Sequence, residues 1–357
     1  CILSMRTLAI DCREALHPAP TGKARWARCF IDELLTRDIP VLLLLNRPLP
    51  QEWQRSHVQS AILSTGLRWH PDAMRLLSAR RGHLTYFSPT SFIVPFFSGG
   101  SLPTIPLVHD LIAFRGEPHQ RKAEIIERLT LRRALALAAH ICAISEATKN
   151  DLLNRYGFLK SENISVIFAG PYSAHPQPNV SDGRTILSVG TLCPRKNQLR
   201  LIAAFAALPD PIRNRSRLVI AGGRGWHDRE IVRRARETPG VEWRGYVSDT
   251  EYETLLTTAA AFAFPSLYEG FGMPVLDALQ RGIPVLTSKR GSLPEVAGDA
   301  ALFTDPEDEA ALTQALISLL TDDAVRARLS SAGPLQARQF SWKHTVDLFL
   351  SGIQAFL

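Results

Sequence analysis

The chain has 357 residues, 45% hydrophobic and 21% charged, with 22 Gly and 24 Pro spread along it; this fits about two globular domains and excludes disorder, collagen and coiled coil. Its formal net charge of +7 lies wholly in residues 1–170, where 21 Lys and Arg face 14 Asp and Glu; residues 171–357 hold 20 of each sign. The densest apolar run, VLLLLN at 41–46, is strand-sized and far too short for a membrane span, and the five scattered Cys contain no CxxC pair, which excludes a zinc site or disulfide frame of the usual spacing and suggests inert thiols in a reducing compartment.

The residues ahead of Met5 lack the charged-then-apolar layout of an export signal, so the expectation is a cytoplasmic protein. A strand is predicted at TLAIDC (7–12), an amphipathic helix at 23–37 and a strand at 41–46. LTYFSP (84–89), IPLVHD (105–110), HICAIS (140–145) and NISVIF (163–168) follow as strands, with helices at 117–139 and 146–155 between the last three. Strands apolar throughout, alternating with helices, predict a parallel sheet covered on both faces. Residues 171–183, PYSAHPQPNVSDG, break the rhythm with three Pro and a closing Asp-Gly and read as a linker.

The alternation then restarts, with strands at 185–190, 217–223, 241–247, 261–266, 283–288 and 300–305. Helices are predicted at 197–207, 226–237, 249–259, 273–281, 308–320, 323–338 and 343–356. Two Rossmann-like domains in series predict ligand binding beyond the carboxyl ends of the strands, in a cleft.

The basic first half admits two readings, a solvated surface or contact with an anionic membrane surface. Its Arg fall in helical phrases, RLLSARR (75–81) and RKAEIIERLTLRR (121–133), without interleaved aromatics for base stacking, so no nucleic-acid partner is expected. Absent motifs narrow the chemistry further. The chain has no G-x-x-x-x-G-K-[ST], no G-x-G-x-x-G opening the first helix, no G-x-S-x-G and no H-E-x-x-H. It also lacks any Asp-x-Asp, so a bound diphosphate would be held by cationic side chains and backbone amides, with no metal.

Two strand-to-helix turns carry the chemistry. In AFAFPSLYEGFGMPVLDALQRG (261–282), Gly270 and Gly272 let the backbone approach a ligand, and Pro274 sits in the first turn of a helix whose N–H groups and dipole form an anion cradle. Glu269 precedes the cradle and suits sugar hydroxyls better than phosphate; Asp277, one helical turn in, has acceptor chemistry fit for a ribose diol. The plain alternative makes Glu269 a helix cap and Asp277 an exposed helix residue. In SVGTLCPRKNQ (188–198), Arg195 and Lys196 stand where the next helix begins, a place unfavourable to cations unless an anion lies between them.

Taken together, VGTLCPRKN, LVIAGG, GYVSDTEYETLL, FPSLYEGFGMPVLDALQRGIPVL and SLPEVAGDAALF closely resemble the donor-binding domain of group-1 (family 4) GT-B glycosyltransferases, nearly continuously from 185 to 305. The resemblance implies an α/β GT-B fold, two Rossmann-like domains facing a central cleft. It implies an acceptor domain over 1–170, a linker over 171–183, a nucleotide-sugar domain over 184–340 and a terminal helix, about 341–357, crossing back over the first domain.

It further implies a donor site made of Gly190, Arg195, Lys196, Gly222, Tyr246, Val247, Glu269, Gly270, Phe271, Gly272, Met273 and Asp277, with Arg195 and Lys196 on the diphosphate and Tyr246 and Val247 by the base. Asp277 stands where the family's E-x₇-E pattern has its second Glu, one methylene longer. In the first half, LVHDLIAF and ISEATKNDL resemble the family more weakly. There His109 matches a histidine that contacts the donor sugar or its phosphate, and in PTGKARW only Gly22 and Arg25 match the acceptor-side glycine loop.

The implied activity is retaining, metal-independent hexosyl transfer from a nucleotide-diphosphate sugar, with no further cofactor, and His109, Glu269, Arg195 and Lys196 as the catalytic set. The phrasing VGTLxPRKN resembles bacterial mannosyl- and rhamnosyltransferases of surface polysaccharides, such as lipopolysaccharide. GDP-mannose is therefore the expected donor and a lipid-linked or oligosaccharide acceptor the expected partner, at the inner face of the plasma membrane. A sugar-nucleotide 2-epimerase and a non-catalytic nucleotide-sugar-binding protein of the same architecture are the alternatives.

Overall fold

The computed structural model describes residues 6–357 apart from 19, 99, 117–120 and 174–175. The residues ahead of Met5, the predicted helix start at 117–120 and linker positions 174 and 175 lie outside the described residues. The chain divides into two compact units, one of residues 6–115, 121–172 and 341–357, the other built on 173–340.

The first unit contains β1 (Thr7–Asp11), α1 (Gly22–Leu34), β2 (Val41–Leu45), β3 (Val58–Ile62), α2 (Trp69–Ala79), β4 (Leu84–Ser88), α3 (Ile93–Phe97), β5 (Thr104–Val108), α4 (Arg121–Leu137), β6 (Ile141–Ala143), α5 (Glu146–Arg155) and β7 (Ile164–Val166). Its sheet is parallel throughout, in the order β3-β2-β1-β4-β5-β6-β7. The central strands are buried along almost their whole length because helices cover both faces; β2, VLLLL, is apolar and buried at every position. The edge strand β3, VQSAI, is partly exposed and polar, and for that reason gives no apolar run to read in the sequence.

Residues 341–357 belong to this unit. The helix Trp342–Ile353 packs Phe349 against Phe30 and Phe87, with ring centroids 5.1 and 4.5 Å apart. Trp342 Nε1 donates to the Pro171 carbonyl (2.8 Å) and Thr345 Oγ1 to the Phe168 carbonyl (2.8 Å).

The second unit contains β8 (Thr185–Val189), α6 (Gln198–Ala206), α7 (Asp210–Arg213), β9 (Arg217–Ala221), α8 (Arg229–Glu237), β10 (Val241–Gly245), α9 (Asp249–Thr258), β11 (Ala261–Phe264), α10 (Met273–Gln280), β12 (Val285–Ser288), α11 (Leu293–Ala297), β13 (Ala301–Thr304), α12 (Glu309–Thr321) and α13 (Asp323–Ala337). Its parallel sheet runs β10-β9-β8-β11-β12-β13. The proline-rich stretch before it is anchored at its far end. Asn179 Nδ2 lies 3.0 Å from each of the carbonyls of Leu256, Thr257 and Ala259 at the end of α9, and the Val180 N–H donates to Thr257.

The strand order reverses between β1 and β4 in one sheet and between β8 and β11 in the other. Connections leaving the carboxyl ends of strands beside such a reversal diverge to opposite faces and open a crevice between them.

Candidate functional site

The two chemical motifs leave the second sheet on either side of the β8/β11 reversal. After β8 the chain passes through Gly190 and a 3-10 turn at Pro194–Lys196 into α6. Gly222, following β9, runs so close to this turn that a Cβ on it would lie 2.0 Å from the Gly190 carbonyl oxygen, so only glycine fits. Asn197, buried and left-handed at φ 60°, donates from Nδ2 to the carbonyls of Pro265 (3.1 Å) and Pro306 (2.6 Å). The Leu267 N–H donates to the Arg195 carbonyl at 2.8 Å. These bonds fasten the turn after β8 to the turn after β11.

The fastening brings together charges 73 residues apart in sequence. Lys196 Nζ lies 2.7 Å from Glu269 Oε1, and Arg195 Nη1 lies 2.7 Å from Glu269 Oε2. Arg195 Nη1 also donates to the Tyr268 carbonyl at 2.7 Å, and the Lys196 ammonium stands 4.4 Å from the centre of the Phe264 ring. The three side chains are 16%, 13% and 9% exposed in the order Arg195, Lys196, Glu269.

Burial pushes the Glu269 carboxyl up, but Arg195 and Lys196 overcome it and hold the group below the ordinary carboxylate value. Burial draws Lys196 down, Glu269 opposes that and Arg195 adds to it. Two cations on one carboxylate leave a single positive charge uncompensated in a site with little access to water.

α10 begins directly beyond Glu269. Its cap is Gly272 at φ 102°, with no side-chain cap, and a Cβ there would meet Leu293 Cδ2 at 2.9 Å. Pro274 sits in the first turn, and the Val275 and Leu276 N–H groups turn back to the Gly272 carbonyl (2.9 and 3.3 Å), so the helix start presents chiefly its positive dipole end beside the turn formed by Gly270, Phe271, Gly272 and Met273. Ser292 holds that turn in shape: its N–H and hydroxyl both reach the Glu269 carbonyl at 3.1 Å, and the hydroxyl also reaches the Phe271 carbonyl at 2.8 Å.

Asp277 is buried, and its Oδ2 accepts from the Tyr252 hydroxyl at 2.7 Å. The buried Arg281 ties the Asp277 carbonyl to the Glu253 carboxylate. Glu269 is therefore an ion-pairing residue, not the helix cap, and Asp277 is not an exposed helix residue. Tyr246 and Val247 follow β10; Tyr246 is half exposed and Val247 buried.

The other predicted residues lie in the first unit. His109 follows β5 and is buried, with Nε2 2.7 Å from the Pro89 carbonyl oxygen. A carbonyl only accepts, so this contact assigns the hydrogen to Nε2 and leaves Nδ1 with its lone pair. Burial lowers His109 to about 3, with the Lys23 charge acting in the same direction, so the ring is neutral at physiological pH. Gly22 opens α1 in open space, and the Arg25 guanidinium stacks 4.2 Å over the Tyr172 ring.

Residues 173–336, nearly the whole second unit, match the family model for glycosyl transferases group 1. This stretch is a group-1 glycosyltransferase domain. The O-antigen chain mannosyltransferase B of Escherichia coli is 41% identical over 161 residues, covering 44% of this chain and 42% of that protein. The serotype-specific mannosyltransferase WbdA of Escherichia coli is 28% identical over 313 residues, covering 80% of this chain and 37% of its own length. The chain thus spans about two fifths of the length of these curated relatives. A solved sucrose-phosphate synthase from Thermosynechococcus elongatus shares the GT-B fold, with a TM-score of 0.79 at 18% identity, covering 98% of this chain and 99% of that one.

Within the group-1 domain, sequence reasoning missed Asn197, Tyr252, Arg281 and Ser292. Asn197 had a signal, because a polar amide just after the basic pair is a common left-handed turn residue. Tyr252, Arg281 and Ser292 act across the fold and leave no local pattern.

Proposed function

We propose that the chain transfers a hexose, mannose from GDP-mannose, to a saccharide acceptor in surface-polysaccharide synthesis. The observation that carries this reading is the buried Arg195–Glu269–Lys196 trio, one positive charge in excess, beside the uncapped start of α10. Such a site fits a diphosphate, whose charge grows as it leaves the anomeric carbon. Positive groups already in place stabilise that developing charge without rearranging. The relatives named as mannosyltransferases favour the mannosyl donor.

Glu269, tied to both cations, positions the sugar and shapes the field; no covalent role is assigned to it. The transfer retains the anomeric configuration, a donor phosphate oxygen taking the acceptor's proton, and needs no metal and no further cofactor. The acceptor is lipid-linked and is met at the cytoplasmic face of a membrane. Among the described residues no helix is long and apolar enough to cross one. α4 instead exposes Ile125, Ile126 and Leu129 beside Arg128, Arg132 and Arg133, an apolar and basic face suited to an anionic lipid surface.

The test offers GDP-, UDP- and dTDP-sugars to the purified chain with a mannose-terminated oligosaccharide, with and without EDTA. Transfer from GDP-mannose that survives EDTA and gives an axial linkage by NMR supports the reading. Absence of any thermal shift with all three nucleotide sugars overturns it. Salt-sensitive flotation with anionic liposomes tests the membrane contact separately.

A further inference from the structure

Polar side chains that the donor chemistry leaves unused converge at the carboxyl edge of the first sheet, beside the β1/β4 reversal. Lys23, in the first turn of α1, has its ammonium 3.7 Å from Asp110 Oδ2, and Asp110 follows His109 at the end of β5. Glu127 joins them from α4. The neighbouring Arg128 donates from Nε to the Ala113 carbonyl at 2.6 Å, which holds this part of α4 against the turn that follows Asp110, and Lys23 and Asp110 act electrostatically on both His109 and Glu127.

Glu127 Oε1 is sealed from solvent and has no hydrogen-bond partner among the described residues, and the same holds for Thr90 Oγ1, next to the Pro89 that binds His109. Glu127 as a residue is only half-buried, so other atoms of its side chain reach solvent although this oxygen does not. Burial, with Asp110 assisting and Lys23 opposing, raises its carboxyl to about 7.

Leaving a buried polar group unpaired costs about 1–3 kcal/mol, more when it is charged. Three kinds of ligand could satisfy this one. An anion would meet the two carboxylates of Asp110 and Glu127. A divalent cation would meet the Lys23 ammonium, already close to Asp110. A hydroxyl group donates and accepts at once, and a polyol presents several, which matches a cluster of mixed donors and acceptors.

Resting on the reading of the chain as a glycosyltransferase, we propose that Glu127, together with Lys23 and Asp110, is a binding site for the saccharide acceptor, the carboxylate accepting a hydrogen bond from a sugar hydroxyl. Glu127 belongs to no motif, Lys23 lies in PTGKARW between Gly22 and Arg25, and both choose the acceptor rather than the donor.

The test compares wild type, Glu127→Ala and Glu127→Gln in the full chain, with a mannose disaccharide as acceptor and calorimetric titration of GDP as the control for the donor side. A hydrogen bond to a charged group is worth about 1.5–3 kcal/mol, so Glu127→Ala raises the KM for the disaccharide roughly ten- to hundred-fold while GDP affinity stays at the wild-type value. Wild-type KM falls as pH rises through 7, as the carboxylate forms against Lys23, Asp110, His109 and Tyr156. Glu127→Gln keeps an accepting oxygen but no titration, so its KM is flat over that range.

An unchanged KM in Glu127→Ala overturns the proposal, as does a wild-type pH dependence that persists in Glu127→Gln. If Glu127→Ala does not fold, the Gln variant decides. If wild type shows no GDP binding and no transfer, the glycosyltransferase reading fails by itself. Saturation-transfer NMR of the disaccharide on wild type and Glu127→Gln at pH 6 and 8 then still decides the acceptor site, identical signals in both proteins ruling it out.

Discussion

Replacing Glu269 by Gln tests the charge excess directly. Gln preserves the shape and one accepting oxygen but removes the negative member of the trio, leaving Arg195 and Lys196 with two positive charges in a site where both are largely buried. Breaking a buried ion pair by neutralising one partner typically costs about 3–5 kcal/mol, because the remaining charge is uncompensated. In a domain of roughly 150–250 residues each kcal/mol moves Tm by about 2–4 °C, so Glu269→Gln should melt about 6–20 °C lower than wild type. Because Glu269 is held below its ordinary value, its contribution is complete above the ordinary carboxylate range and disappears as the pH falls through the folded value. The gap between the two proteins should therefore close in acid.

Differential scanning calorimetry with and without GDP carries the argument one step further. A ligand bound only by the folded state stabilises it by about 2.7 kcal/mol at a hundred times its Kd. If the trio is an anion site, the variant with two net charges holds the diphosphate more tightly, and GDP raises its Tm by more than it raises that of wild type. Transfer falls all the same if, as proposed, that carboxylate positions the sugar. A Glu269→Gln protein as stable as wild type, or one that GDP stabilises less, refutes the reasoning.

Lys196→Met leaves Glu269 paired with Arg195 and should lower kcat roughly 10²–10³-fold with weaker GDP binding, measured by transfer assay and calorimetry. Gly222→Ala forces a methyl group to 2.0 Å from the Gly190 carbonyl; overpacking of this kind costs about 1–3 kcal/mol, read as a lower urea midpoint at unchanged m-value. His109, lowered to about 3, takes up a proton in the unfolded chain first. Stability from this residue is therefore intact above its ordinary value of 6.5 and declines as the pH falls toward 3. His109→Gln should remove that slope from urea midpoints between pH 4 and 7, and the imidazole NMR signals of His109 should not titrate between pH 5 and 8.

The second unit was legible because its chemistry is local. Gly270, Gly272 and Pro274 are required by backbone geometry and by the missing proline N–H, so any chain using that turn must spell them in order. Arg195 and Lys196 stood out because cations at a helix start need an anion; the sequence suggested a ligand, and the structure supplies Glu269 first. Asp277 shows the limit of that reasoning. Its spacing to Glu269 is visible, but its partner Tyr252 comes from α9, and no periodicity connects one helix to a hydroxyl on another. In the first unit β3 went unread because an edge position tolerates Gln59 and Ser60, and α2 was read only in its second half, as the helical phrase at 75–81, because its buried face is only Trp69, Ala73 and Leu77. Glu127 was hidden inside a basic helical phrase, where a glutamate between arginines looks like an ordinary surface residue.

The two clusters follow opposite rules of charge, and the difference decides what each can hold. In the group-1 domain two cations share one carboxylate, and the field is completed by a helix dipole of the same sign; such a charge arrangement favours an anion. In the first unit one ammonium faces two carboxylates, one of which gives up its charge near neutral pH, and a buried histidine stays neutral. That arrangement has no strong preference for either sign and offers donors and acceptors instead, which is what hydroxyl groups need. The transfer proposed above, in which a diphosphate leaves one sugar and that sugar passes to another, requires both kinds of site. Exchanging the charge tests the pairing: Glu127→Lys should abolish use of the saccharide acceptor, read as loss of transfer to the mannose disaccharide while GDP affinity stays at the wild-type value.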